Sequence, residues 1–147
     1  MSEDHLVLFR RAPKGLPRRD LRQFATALRD HVAGGRGFCC LIADDAELLR
    51  LNRTFLGRDY PTDVLSFPSP EGTETLGDIA VSVDRAASQA AAFGHSTAEE
   101  IKILMLHGLL HLVGMDHERD RGAMARKERL LHTRFELPGS LIERTTR

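Results

Sequence analysis

The sequence predicts a single α+β domain spanning residues 1–147, with a mixed sheet of about four strands and about five helices around one buried, histidine-bearing helix. Three observations predict it. Short apolar runs, as at Phe38–Ala43, alternate with longer stretches whose apolar residues recur every three or four positions. Turn-forming clusters separate these runs at intervals that leave no room for a second core. One helical stretch, ending near Val113, is apolar almost all round, which marks a helix enclosed by the rest of the chain.

Taken in order, His5 to Phe9 reads as a first strand, followed by a basic, proline-punctuated loop that closes at Pro17. Leu21, Phe24, Ala25, Leu28 and Val32 keep a helical period, stopped by Gly34 and Gly35. Phe38 to Ala43 is a second, central strand, and strand–helix–strand in this order favours a right-handed parallel crossover. Asp44 with Glu47 opens a helix that ends near Phe55. A polar loop, Gly57 to Asp63, leads into Val64–Phe67, a strand stopped by Pro68. The alternating stretch Leu76 to Val83 pairs with it as an antiparallel partner.

Asp84 to Phe93 is an alanine-rich helix ended by Gly94, and Ser96 with Glu99 forms a capping box for the buried helix. A last helix runs from Arg119 to Phe135, with Met124, Leu130 and Leu131 at helical spacing. The basic residues of this helix and of the N-terminal segment could form a basic rim, or pair in ordinary salt bridges with Asp120 and Glu128, and the residues leave both readings open. The tail after Pro138 is expected to be loose.

The formal net charge is zero, but its distribution is uneven. Basic residues gather at the ends, Arg10 to Arg22 and Arg119 to Arg129, and acidic ones in the middle. With aromatics at 5%, a base-stacking platform is excluded as the main mode of any nucleic-acid contact. The only cysteines, Cys39 and Cys40, are neighbours in an apolar run and read as small core residues in a reducing compartment. No apolar run approaches the ~18 residues of a membrane span, so the expectation is a soluble, cytoplasmic protein with no membrane partner.

Chemistry concentrates in His107-Gly-Leu-Leu-His111-Leu-Val-Gly114-Met-Asp-His117. Residues four apart share a helix face, so His107 and His111 aim two imidazoles at one point. Gly114 stops the helix and lets the chain turn back to deliver His117. Three convergent imidazoles in an apolar setting make a zinc-type site for one ion per chain, with a fourth position open for water or substrate. The spacing is also that of metzincin proteases, except that Gly108 stands where they place a catalytic glutamate. Peptide hydrolysis by that route is therefore not expected, although a water held by three histidines could still act as nucleophile, and a glutamate introduced at 108 is expected to sit beside the metal.

This histidine stretch, with Pro61-Thr-Asp-Val-Leu-Ser-Phe-Pro68, Leu76-Gly-Asp-Ile79, Asn52, Glu100, Met124 and Glu128, resembles the YbeY family of bacterial endoribonucleases over roughly residues 40–130. The resemblance implies a zinc-dependent endoribonuclease that cuts single-stranded RNA. It implies work in ribosomal RNA processing, chiefly at the 3′ end of 16S rRNA, and in ribosome quality control, with the ribosome or small-subunit proteins as partners. It makes His107, His111 and His117 the metal ligands.

Leu56 stands where the family carries an arginine thought to contact the RNA phosphate, so Arg58, or Arg53, is the candidate substitute. Thr62 and Asp63 read as a turn capped by their own side chains. Asp78 is the candidate to orient a ligand histidine, and Asp116, Glu118 or the substrate would manage protons. Arg58 and Asp116 are thus the catalytic candidates. Two rivals stay open: a metallopeptidase that recruits a base from elsewhere, and a non-catalytic ribosome-assembly factor with a structural zinc.

Overall fold

A computed structural model describes residues 6–116 and 119–139. The expectations for His5, His117, Glu118 and the tail from residue 140 onward lie outside the described residues. The elements are β1 (Val7–Arg10), α1 (Arg18–His31), β2 (Cys39–Ala43), α2 (Asp45–Leu56), β3 (Val64–Pro68), β4 (Gly77–Ser82), α3 (Val83–Phe93), α4 (Thr97–Leu112) and α5 (Ala123–Arg134). Four strands and five helices form the α+β domain that the sequence predicts.

The strands lie in the order β1-β2-β4-β3. β1, β2 and β4 run parallel, while β3 pairs antiparallel with β4, Ser66 opposite Ile79 and Leu65 opposite Ala80. Alternation divides the side chains between two faces. Val7, Cys40, Ile42, Ile79 and Val81 share one apolar cluster with Leu21, Leu28, Ala86, Leu104, Leu109 and Met124 from the helices. On the other face Ala43, Leu65 and Ala80 pack with Leu48 of α2.

Local chemistry fixes where the helices begin. Asp44 accepts from the Glu47 amide to start α2, but the Glu47 carboxylate turns to Arg10 and Arg50 instead of closing the box. Burial pushes the Glu47 carboxyl up, and those two arginines more than offset it, leaving it below its ordinary range. Ser96 and Glu99 form the full reciprocal box at α4. Ser82 ends β4 and caps α3 through the Arg85 amide, so Val83 opens a helix instead of closing the predicted strand.

α5 starts four residues later than the sequence suggested. Asp120 accepts from the amides of Gly122 and Met124, and Gly122 sits at φ +87° in the left-handed region. That short turn occupies the segment where the first helical turn was expected, and it takes Asp120 out of any side-chain ion pair.

α4 is the axis of the molecule. Ile101, Ile103, Leu104, Met105, Leu106, Leu109 and Leu110 are all buried, each contributing roughly 1.5–3 kcal/mol over exposure. Asp20 reaches across from α1 to Lys102 at 2.7 Å, and Glu100, fully buried, meets His95 at 2.5 Å in the turn before the helix.

Candidate metal site on the buried helix

α4 ends in a Schellman motif built on the glycine that the sequence singles out. The Met115 amide donates to the Leu110 carbonyl and the Gly114 amide to the His111 carbonyl, each at 3.0 Å, with Gly114 at φ +99°. Met115 folds back onto the apolar cluster that includes Leu110. The chain therefore turns sharply one residue after the helix, directly beside His111.

His107 and His111 stack one turn apart, with ring centroids 4.9 Å apart and planes at 76°. Their Nε2 atoms are 3.3 Å from one another. Two nitrogens each ~2.0–2.1 Å from one zinc at the tetrahedral angle stand ~3.3–3.4 Å apart, so the pair already has the spacing of two ligands. His107 is 8% exposed and His111 is half-buried, which leaves the pair open to solvent on the His111 side.

The other nitrogen of His107 is held from α5. His107 Nδ1 lies 2.5 Å from Glu128 Oε2, and Glu128 is fully buried. An ionised carboxylate only accepts, so Nδ1 carries the proton and the Nε2 lone pair faces His111. A carboxylate that orients a metal-binding imidazole in this way also raises its basicity. The sequence assigned this part to Asp78, and the structure corrects it. Asp78 lies on β4 next to Ile79, and alternation turns it to the side away from α4.

There Asp78 faces a cleft of about 400 Å³ lined also by Cys39, Leu41, Arg50, Phe55 and Phe67. Cys40 is fully buried, as expected of a core residue, but Cys39 is half-exposed in this cleft. Burial first, and then the Asp78 carboxylate, push the Cys39 thiol above its ordinary value. Cys39 lies on the face of the sheet opposite α4, away from the histidine pair.

Gly108 is explained by packing. An added Cβ would stand 2.9 Å from Ile79 Cγ2, 3.1 Å from Ser66 Oγ and 3.3 Å from Val64 Cγ2, while Ser66 Oγ donates to the Gly108 carbonyl at 2.9 Å. Position 108 is where α4 presses its backbone on the sheet. A glutamate there would point into the sheet and not at the metal, contrary to the expectation from the protease spacing.

The remaining candidates are spread over one loop and one turn. Asn52 is buried and donates to the Tyr60 carbonyl at 2.8 Å, tying the 57–63 loop to α2. Asp63 accepts from the Val64 amide at 2.8 Å and from Thr62 and Gln89, so Thr62 and Asp63 build a turn at the entry to β3. Asp116 is exposed and stands 3.8 Å from Arg119 across the turn after α4. Among the described residues the histidine pair is joined to Glu128 and to neither Arg58 nor Arg53.

This geometry agrees with the kinship of the chain. A model of the family described as Endoribonuclease YbeY matches residues 20–136. The chain belongs to the YbeY family. The Endoribonuclease YbeY of Solibacter usitatus is 54% identical over 142 residues, covering 97% of this chain and 95% of that one. That of Koribacter versatilis is 46% identical over 143 residues, covering 97% and 93%. The solution structure of TM1509 from Thermotoga maritima is similar with a TM-score of 0.59 at 25% identity, over 86% of this chain and 87% of that one.

Leu56 is 44% exposed at the end of α2, with Phe55 and Tyr60 exposed near it. Arg53 is engaged by Asp59 on the same side, whereas Arg58 is exposed and forms no ion pair among the described residues. Of the two cations near this corner, Arg58 is the one available to a ligand.

Proposed function

We propose that this protein is a zinc-dependent endoribonuclease that cuts single-stranded RNA in the cytoplasm, in the processing of ribosomal RNA at the 3′ end of 16S rRNA and in ribosome quality control, alongside small-subunit proteins. Membership of the YbeY family supports the nuclease activity and its RNA substrate. The ribosomal role rests on that kinship alone. The observation that carries the zinc is the 3.3 Å separation of two Nε2 atoms, one of them fixed by a buried carboxylate.

In this reading His107, His111 and His117 hold the ion, and Glu128 keeps the His107 proton on Nδ1 so that Nε2 stays a ligand. When bound, zinc supplies Lewis acidity at the phosphate and lowers the pKa of the attacking water. Asp116, exposed in the turn after α4, would accept the proton at its carboxylate, with Glu118 or the substrate itself as the alternative. Arg58 holds a non-bridging phosphate oxygen of the substrate, taking over from the arginine that Leu56 replaces. Membership of the YbeY family, described as endoribonucleases, is what favours RNA over a peptide as substrate.

The test is an assay of purified, zinc-loaded protein on short single-stranded RNA and on casein, with chelated protein as control. RNA should be cut, casein left intact, and cleavage lost on chelation; chelator-sensitive digestion of casein, or intact RNA throughout, overturns the proposal. In the same assay at physiological salt, Arg58→Ala should lower RNA cleavage at least ~10-fold, about 1.4 kcal/mol for one charge-assisted contact, with zinc content unchanged. Leu56→Arg added to that variant should recover part of the loss. Cleavage at the wild-type rate in Arg58→Ala would place the phosphate-holding cation elsewhere.

A further inference from the structure

α5 has two faces of opposite character. Its inward face carries Met124, Glu128 and Leu131, and Glu128 ends on His107. Its outward face carries Arg126, Lys127, Arg129, Leu130 and Arg134, with Arg121 exposed in the turn just before it. Between Arg119 and Arg134 there are six basic residues, and the two acidic ones, Asp120 and Glu128, are spent on a backbone cap and on His107. What this segment shows to solvent is positive along a helix roughly 18 Å long.

The contrast with the rest of the chain is sharp. In the acidic middle three of the cations are paired: Arg50 with Glu47, Arg53 with Asp59 and Arg85 with Asp45. Among the described residues no carboxylate lies within ion-pair distance of Arg121, Arg126, Lys127 or Arg134. Arg126 Nη1 donates to the Arg121 carbonyl at 3.3 Å and Arg134 Nη2 to His31 Nδ1 at 3.1 Å, which holds both guanidiniums along the surface with their charge uncompensated. A shallow depression of about 510 Å³ runs between Arg126, Leu130 and Arg134.

We propose that the outward face of α5 docks the sugar–phosphate backbone of single-stranded RNA. The proposal rests on the nuclease reading above and names a surface which that reading leaves open. A chain with zero net charge that gathers Arg121, Arg126, Lys127 and Arg134 along one helix and the turn before it has a local attraction for a polyanion there. The face lacks an aromatic anchor of the kind that carries protein–protein affinity, and Leu130 is its single large apolar side chain. The apolar side of α5 is already buried in the core, so the helix has nothing to insert into a membrane. Phosphate contacts of this kind fix the register of a strand and carry no sequence information.

The experiment measures binding of a short oligouridylate to the full chain across a salt series, beside cleavage kinetics and zinc content. Arg126→Glu with Lys127→Glu should weaken binding at least ~10-fold and reduce the slope of log affinity against log salt by ~1.4, two phosphate contacts' worth on a single strand. KM should rise while kcat, zinc content and melting temperature stay at wild-type values. Arg85→Gln, in the paired acidic half, should change binding less than ~2-fold. An unchanged slope in the double variant overturns the docking face while cleavage by wild type leaves the nuclease reading standing. Salt-dependent binding lost in the double variant, with no cleavage by any form, upholds the face and overturns the nuclease. Absence of RNA binding by wild type overturns both, and tighter binding of polyglutamate than of the oligouridylate reassigns the face to an acidic protein.

Discussion

Gly108→Glu is expected to yield no folded protein, and the comparison with Gly108→Ala shows why. For alanine two effects of similar size compete. Helix preference favours Ala over Gly by ~1 kcal/mol, while the added methyl meets Ile79 and Ser66 at 2.9 and 3.1 Å and carries an overpacking cost of ~1–3 kcal/mol. Packing wins by a small margin, so Gly108→Ala should fold with a melting temperature lower by no more than about 8 °C. Glutamate keeps the clash and drives a carboxylate between α4 and the sheet, against Ile79, Val64 and Ser66; burying it unpaired costs several kcal/mol. That sum is comparable to the ~5–15 kcal/mol that holds a domain together. Circular dichroism melts of the soluble fraction decide it, and a cooperative Gly108→Glu transition at the wild-type temperature would refute the close packing of α4 on the sheet.

The same position marks where sequence reasoning stops. Adjacent to His107 in a familiar spacing, Gly108 reads as a missing catalytic carboxylate; only the packing of α4 against Ser66 and Ile79 shows that the side chain would face away from the histidines. Signals local to the chain were legible: the Ser96–Glu99 box and the Gly94 and Gly114 stops all appear where expected. The strand order was not, because β3 and β4 form a hairpin while β4 joins β2 across two intervening elements, and no periodicity encodes that choice.

Glu128 was misread for a physical reason. Among Arg126, Lys127 and Arg129 it looks like one more surface charge, and only its place on the Met124–Leu131 face of α5 reveals that it points inward. Asp78 erred the other way: it looked suitable by type, yet its neighbours Ile79 and Val81 already assign the face toward the helices to the opposite parity. Side-chain parity and the helical wheel were the usable signals in both cases.

His111→Ala is expected to remove essentially all bound zinc, from about one ion per chain to less than ~0.1. The two histidines do not contribute equally to the fold, which makes this the clean variant. His107 is buried and bonded to Glu128, so replacing it also disturbs the core. His111 is half-buried in the last turn of α4, and alanine there keeps the helix at little cost. Glu128→Gln should act differently: with the ligands intact the stoichiometry stays near one, but the amide orients His107 less firmly and affinity falls ~10–100-fold. His117→Ala should follow His111→Ala. Metal analysis after dialysis gives the stoichiometry, and competition with a chelating dye gives the affinity. A second readout separates binding from mere adhesion: metal held by the native state alone raises the melting temperature in proportion to the logarithm of its concentration. Wild type should therefore be stabilised by added zinc, Glu128→Gln only at about 10–100-fold higher concentration, and His111→Ala not at all. Full zinc content in His111→Ala, or equal stabilisation of all three proteins, would show that the 3.3 Å histidine pair is not the metal site.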